Sequence, residues 1–352
     1  MVVIPADDLR ELVIRIFLAA GADEDNAYTL AEHLVLANLS GVDTHGVWHV
    51  ARYVDDIRKG YILPRARPAF VQEGLNSAQI TGNWTFGQVA ACFAMETAIE
   101  KAKSHEIAIV GLVQSHHIGR LGHYTEMAAA GGLISIVWAG GFGEEEPVAV
   151  PYGGCERILH TNPIAMGFPG GDGPSMAFDF ATTAMSGVKV INAQRRSKAL
   201  PPGCIVDREG NPSTDPNDFY EGGGQVPFGG HKGYALMMAV EFLGRIFNRT
   251  DAFADPNRAG PIMRYQGVCM VVFKADLFQP FSEYARRADE MVQRTRAVSP
   301  APGFEEVLVP GDPEVRTRNA RQREGVPIQD DIWQSILGAA DALGIQDVPR
   351  SG

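Results

Sequence analysis

Several patterns that would assign a function outright are missing from this 352-residue chain. No apolar stretch is long enough to cross a bilayer, so no membrane span is expected. Cysteine is scarce. Cys92, Cys155, Cys204 and Cys269 never reach CxxC spacing, which argues against a metal knuckle or a dithiol redox motif and fits reduced thiols in a cytoplasmic protein. The opening residues, MVVIPADDLR, turn acidic before any basic segment leads into an apolar core, so no signal peptide is expected. Positive charge is in deficit. A net charge of −11 repels nucleic-acid phosphates and anionic lipid, and neither is expected as a partner. No GxGxxG follows a predicted strand and opens a helix, and no GxxxxGK[ST] loop occurs.

What is present is globular: 45% hydrophobic and 21% charged residues, with 39 glycines and 22 prolines. Leu9, Leu12, Val13, Ile16 and Phe17 recur at helical spacing and Gly21 ends that run. Asp23 is placed to cap a second helix reaching about Leu39, and a third is predicted over 47–59. From about Ala69 the period changes. AQITG, IAIVGLV and LISIVWAG read as strands, separated by helical patterns over 88–104 and 124–130. Further strands are expected at 177–181 and 267–273, and helices at 231–247, 281–295 and 330–343. The predicted class is α/β with a helical domain formed by both chain ends. The expected divisions are 1–68 (helical, N-terminal part), 69–300 (α/β) and 301–352 (returning to the helical domain).

Chemistry-bearing residues gather in loops. Gly41-Val42-Asp43-Thr44-His45-Gly46 joins two helices, with an imidazole able to exchange a proton near neutral pH and an Asp two residues earlier that could orient it. The bland alternative is a capping Asp beside an exposed His. Ser115-His116-His117-Ile118-Gly119-Arg120-Leu121-Gly122-His123 follows a buried strand, where α/β proteins place ligands. Its glycines and the next helix N-terminus offer N–H groups to a phosphate, and Arg120 could pair with a phosphate or carboxylate. His117 and His123, six apart with no carboxylate at ligand spacing, do not suggest a metal, and none is expected. Asp179-Phe180-Ala181-Thr182-Thr183 ends a strand. Phe228-Gly229-Gly230-His231-Lys232-Gly233-Tyr234 enters a long helix, and Pro310-Gly311-Asp312-Pro313-Glu314 is a turn by composition. These patterns alone do not disclose a nicotinamide enzyme.

The ordered blocks DTHGV, RYVDDIRKG, SHHIGRLGHYTEMAA, HTNPIAMGFP, DFATTAMSGVK, PPGCIVDREGNPSTDP, GGHKGYALMMAVEFLG and VPGDPEVRTRNARQREGVPI do more. Together they make the chain resemble the malate/L-lactate/ureidoglycolate dehydrogenase family over nearly its whole length. Within that family it is most similar to the hydroxycarboxylate dehydrogenase B subgroup. The resemblance implies a homodimer with a mixed-sheet domain that binds NAD or NADP without the usual Rossmann fingerprint. It implies hydride transfer between coenzyme and C2 of a small 2-oxo or 2-hydroxy acid. His45 and His117 fall at the catalytic positions. Gly119, Arg120, Leu121, Asp179, Phe180, Ala181, Thr182, Thr183, His231, Lys232, Gly311, Asp312, Pro313 and Glu314 fall where the family contacts its coenzyme. Thr44, His49 and Arg52 fall toward the substrate.

The chain departs from the family pattern twice. Many members carry an Arg four residues after the motif His, where this chain has His49 beside Trp48. The loop after LISIV, commonly polar, is Ala139-Gly140-Gly141. Both changes favour a roomier, more apolar substrate pocket. Two other readings stay open at this stage: a cyclic imino-acid reductase, and a non-catalytic small-molecule-binding protein on the same fold. Retention of both His45 and His117 argues against the second.

Overall fold

The computed structural model describes residues 1–171 and 173–349. Its strands are β1 (Val2–Ile4), β2 (Ala69–Glu73), β3 (Ser77–Thr81), β4 (Ile107–Val113), β5 (Leu133–Gly140), β6 (Ile164–Gly170), β7 (Gly173–Phe180), β8 (Ile205–Val206), β9 (Pro212–Ser213), β10 (Gly224–Gln225), β11 (Gly267–Lys274) and β12 (Val326–Ile328). Its α-helices are α1 (Ala6–Ala19), α2 (Glu24–Leu39), α3 (Val50–Arg58), α4 (Gly87–His105), α5 (Leu121–Ala130), α6 (Gly187–Arg195), α7 (Pro216–Tyr220), α8 (His231–Glu241), α9 (Gly260–Met263), α10 (Phe281–Arg296), α11 (Asp312–Glu324) and α12 (Asp330–Asp341).

The central sheet runs β2-β3-β4-β11-β5-β6-β7. Only β3 and β4 pair in parallel; the other neighbours are antiparallel, so the sheet is mixed. Ala108, Val110, Leu112, Val268, Met270 and Val272 are fully buried at its centre, which explains the unbroken apolar runs of β4 and β11. Ala90, Ala91, Ala94, Ala98 and Ala102 of α4 join the same core. Their short side chains let the helix lie close on the sheet.

The two chain ends meet. β1 pairs antiparallel with β12, and one apolar core unites Leu9, Leu12, Ile16 and Phe17 of α1 with Leu30 and Leu34 of α2 and with Trp333, Ile336 and Ala340 of α12. Phe17 and Phe86 make an edge contact that joins this core to the start of α4. The expected helical unit from both ends is therefore present, with a two-stranded tie that the helical periodicity did not suggest. The Asp23 side chain accepts the Asn26 amide at 3.0 Å, as a capping Asp should.

Several boundaries differ from expectation. The third helix opens with a 3-10 turn over Val47–His49 before α3 begins at Val50. The long apolar helix is α-helical only to Glu241 and continues as a π-helical turn, Phe242–Ile246. Pro310–Glu314 is not an isolated turn: Gly311 caps α11, with Pro313 in its first turn, where a missing N–H costs nothing. β6 and α6 went unrecognised. Gly and Pro interrupt the first, and the second lacks an apolar stripe, burying only Val190.

Candidate active site

Three rings converge where α3 meets the loop leaving the buried end of β4. His45 and His117 stack with centroids 5.5 Å apart, and His49 lies 4.5 Å from His117 and 6.5 Å from His45. His45 sits in the 3-10 turn Asp43–His45, whose chain is turned back because Asn38 of α2 accepts the Val47 amide at 2.8 Å. His117 is carried by a loop that Gly87 admits. A Cβ at Gly87 would stand 2.1 Å from the His116 carbonyl oxygen and 2.3 Å from that of His117. Gly119 turns the same loop with φ +71°, and a Cβ there would meet His33 Nε2 at 2.2 Å.

The loop is held from several sides. His33 Nε2 accepts the Arg120 amide at 2.9 Å. Gln266 Nε2 donates to the His116 carbonyl at 2.9 Å and to Ser115 Oγ at 3.0 Å. His116 Nε2 stands 3.3 Å from Asp56 Oδ2, and Asp56 also faces Arg52 Nε at 3.5 Å.

Each ring has a distinct hydrogen-bonding role. His49 Nε2 is 3.0 Å from the Thr44 carbonyl, which can only accept, so that nitrogen carries the proton and donates. Burial, followed by the nearby Arg52 and His45, holds His49 well below the usual histidine pKa, so its ring is neutral. His45 Nδ1 lies 3.1 Å from the Thr44 hydroxyl. His117 Nδ1 lies 2.6 Å from the Tyr53 hydroxyl. Among the described residues no hydrogen bond engages Nε2 of either His45 or His117, which leaves two adjacent ring nitrogens for a substrate.

The electrostatics separate the two rings. Burial lowers the His45 pKa and Asp179 opposes that shift, while burial raises Asp179 against the pull of the Gly122 amide and His45. His117 has no carboxylate in this role. Burial and then His49, His45, Arg52 and His116 all push its pKa well down. A carboxylate acting on His45 but not on His117 makes His45 the ring better able to hold a proton.

Asp179, expected at the coenzyme, has partners within the protein. It accepts the Gly122 amide at 2.9 Å and acts on His45. Asp43, expected to orient His45, is instead held by Arg321 at 2.6 Å and by Asn38 at 2.7 Å. Arg120 is only partly engaged: its Nη2 donates to Glu126 at 2.6 Å, where Glu126 also receives Arg318, while its buried Nη1 has no partner among the described residues. Thr182 donates to the Asn162 and Thr161 carbonyls, Thr183 to that of Met185, and Asp312 pairs with Arg296 at 2.5 Å. Leu121 and Gly122 open α5, and Ala181 is half-buried beside the exposed Phe180. Sequence reasoning missed Tyr53 and Gln88 as site residues. Each lies on a helix face that reads simply as core.

Residues suited to a dinucleotide lie on the neighbouring elements. Gly229 and Gly230 adopt φ +59° and +66°, and the exposed His231 and Lys232 open α8 directly after them. A cleft of about 530 Å³ borders these glycines, walled by Tyr152, Gly153, Val206 and Gly210. Gly311 packs on β7 so closely that a Cβ would come 3.1 Å from the Ala177 carbonyl, and half-buried Glu314 follows it on α11. Open glycine backbone, a helix N-terminus and an ammonium with no ion pair among the described residues are groups that suit a pyrophosphate, so these residues fit NAD or NADP.

Comparison with known proteins agrees. Residues 4–337 match the malate/L-lactate dehydrogenase family model. A malate/(S)-sulfolactate dehydrogenase of Methanothermus fervidus is 33% identical over 98% of this chain and 99% of its own. Hydroxycarboxylate dehydrogenase B of Escherichia coli O157:H7 is 32% identical over 97% and 94%. The solved structure of a putative malate/lactate dehydrogenase from E. coli superposes with a TM-score of 0.88 at 32% identity, over 98% of this chain and 96% of that one. The chain belongs to the malate/L-lactate dehydrogenase family.

Proposed function

We propose that the chain is an NAD(P)-dependent oxidoreductase that interconverts a small 2-oxo acid and its 2-hydroxy acid, with His45 exchanging the substrate proton. The observation that carries this reading is the pair of adjacent imidazoles whose Nε2 atoms are unengaged among the described residues, of which His45 has its pKa drawn upward by a carboxylate, Asp179, and His117 does not. A bound nicotinamide would supply or accept the hydride. Gly119, Leu121, Phe180, Ala181, His231, Lys232, Gly311, Pro313 and Glu314 are the positions proposed to hold the coenzyme. Arg120, Thr182, Thr183 and Asp312 would act by building the surrounding backbone.

In reduction, negative charge grows on the carbonyl oxygen as C2 accepts hydride. His45 then gives its Nε2 proton to that oxygen, and in oxidation it takes the hydroxyl proton back. His117 Nε2 lies beside it to donate a hydrogen bond to the substrate. The half-buried Arg52, paired among the described residues with Asp56 alone, supplies the local positive charge that an acid substrate needs on a protein of net charge −11. Thr44 keeps His45 in place. The neutral His49, whose N–H is engaged by Thr44, adds no second cation, which favours substrates with an uncharged C3 substituent over dicarboxylates.

A homodimer is part of the proposal. Exposed Leu236, Phe242, Ile246 and Phe247 along α8 and the π-helical turn form an apolar strip that a second copy would cover. A cytoplasmic setting fits the four free cysteines. The deciding experiment follows the oxidation of NADH and NADPH with a panel of 2-oxo acids and cyclic imino acids. Turnover of oxo acids supports the reading, turnover confined to imino acids replaces it with C=N reduction, and turnover of neither refutes both.

A further inference from the structure

Tyr53 links the active site to the core. Its hydroxyl is 2.6 Å from His117 Nδ1, and the Gln88 side-chain amide donates to the same oxygen at 2.9 Å. These three residues come from α3, α4 and the loop after β4, and Tyr53 and Gln88 are both fully buried. The bonding is directional. A phenol has one hydrogen. With Gln88 Nε2 donating to the phenolic oxygen, that hydrogen is left for His117 Nδ1, so Nδ1 accepts. A neutral imidazole whose Nδ1 accepts carries its proton on Nε2, the nitrogen left open toward the site. The ring is further confined between neighbours, since His49 stacks on Tyr53 at 5.2 Å with planes 16° apart and lies 4.5 Å from His117.

We propose that Tyr53, oriented by Gln88, is a positioning residue that locks His117 in its Nε2–H tautomer, so that His117 hydrogen-bonds the substrate while proton exchange is left to His45. This division of labour rests on the dehydrogenase reading; the tautomer itself does not. The surroundings agree with it. Among the described residues, besides the neutral Tyr53 phenol, His45, His49, Arg52 and His116 are the charged or titratable groups acting on His117, and none of them is an anion that would stabilise an imidazolium there. Burial also raises the Tyr53 pKa, which keeps the phenol protonated and able to donate. The Gln88 side-chain oxygen, Oε1, is buried without a partner among the described residues. That is the one place where a rotated amide could accept the Tyr53 hydrogen and reverse the chain of bonds, so Gln88 is the residue that sets the direction.

The test reads the tautomer first and catalysis second. In protein labelled with ¹⁵N-histidine and free of substrate, long-range ¹H–¹⁵N correlation, assigned by loss of the signal in His117→Gln, should show His117 protonated at Nε2 and not at Nδ1. Gln88→Glu, examined at a pH where the introduced carboxylate is ionised, can only accept from Tyr53 and should move the His117 proton to Nδ1. Tyr53→Phe should leave Nδ1 unbonded, broaden or shift its resonance, and raise KM for the oxo acid about tenfold, the weight of one buried hydrogen bond. It should leave the pH midpoint of the chemical step in place. An Nδ1–H tautomer in the unmodified protein overturns the proposal whether or not the enzyme reduces oxo acids. So does an unchanged His117 spectrum in both Tyr53→Phe and Gln88→Glu. If Tyr53→Phe does not fold, the unmodified protein and Gln88→Glu decide alone. Failure of the reaction reading would instead appear as absence of oxo-acid turnover with the Nε2–H tautomer intact.

Discussion

The His45 and His117 rings lie stacked, centroids 5.5 Å apart and planes 24° from parallel, yet among the described residues a carboxylate, Asp179, acts on His45 and none on His117. Equal proximity with unequal charge predicts unequal loss. His45→Ala should lower the single-turnover rate by a factor of about 10²–10⁴, the usual worth of a positioned acid, and abolish its pH dependence. His117→Ala should mainly raise KM for the oxo acid. If His45→Ala keeps a normal rate and pH profile while His117→Ala loses both, the two roles are exchanged.

The pH dependence has a definite sign. Reduction needs His45 protonated and oxidation needs it neutral. Burial lowers its pKa from the ordinary 6.5, with Asp179 opposing and Arg120 assisting. The rate of reduction should therefore fall as pH rises through a midpoint below 6.5, and the rate of oxidation should rise across the same midpoint. Asp179→Asn removes the upward push and should move that midpoint lower still. Rapid-quench measurements of both directions would check it, and a midpoint unmoved by Asp179→Asn would separate Asp179 from the proton donor.

Much of this architecture was legible in the chain, and the reasons are physical. IAIVGLV reads as a buried strand because β4 is covered on both faces, and a ligand loop after its carboxyl end follows from strand topology. THG and SHHIG were recognisable as the two histidine loops. The partners of those histidines were not. Tyr53 and His117 are 64 residues apart, and the Tyr occupies an ordinary core position on α3. Asp179 looks the same in sequence whether it faces a ribose or an imidazole. Asp43, the near neighbour, was the local choice, but Arg321 from the other end of the chain takes it. Sequence proximity identified the motifs; tertiary pairing determined which carboxylate serves which ring.

Gly87 offers a test of the scaffold. A methyl group there would meet two backbone oxygens of the histidine loop at 2.1 and 2.3 Å, and backbone cannot rotate aside as a side chain can. Gly87→Ala should displace His116 and His117 together, destabilise the fold by roughly 1–3 kcal/mol as overpacking does, and cut turnover more than coenzyme affinity. Thermal melting alongside steady-state kinetics would show this. Wild-type kinetics in Gly87→Ala would mean that the loop is free to move without consequence.

Lys232 separates coenzyme binding from stability. Its ammonium is exposed at the start of α8, next to two left-handed glycines, and no ion pair among the described residues holds it. An exposed unpaired lysine contributes little to folding, so Lys232→Ala should leave Tm unchanged. Loss of a charge aimed at a phosphate should weaken coenzyme binding by about tenfold or more. Titration of protein fluorescence with NADH and NADPH measures both affinities. A larger loss for NADPH would place Lys232 against the ribose phosphate; equal losses would place it at the pyrophosphate. A lowered Tm with unchanged affinity would make the lysine structural.

The apolar strip on α8 and its π-helical turn predicts how the proposed dimer comes apart. Phe242, Ile246 and Phe247 are 56, 57 and 56% exposed, and Leu236 is 39% exposed, on consecutive turns of one helical segment. Single exposed apolar residues are common, but a contiguous set with three large side chains more than half in water is a liability that a second subunit removes. Covering them stabilises by about 25 cal/mol for each Å² taken from water. A carboxylate placed at the centre would have to be buried unpaired or drive the subunits apart. Phe242→Glu combined with Ile246→Glu should therefore yield a monomer with native circular dichroism, because neither side chain belongs to the protein's own core. Sedimentation velocity across a range of concentrations reads the outcome. A double variant that still sediments as a dimer with unchanged dissociation would move the interface to another face.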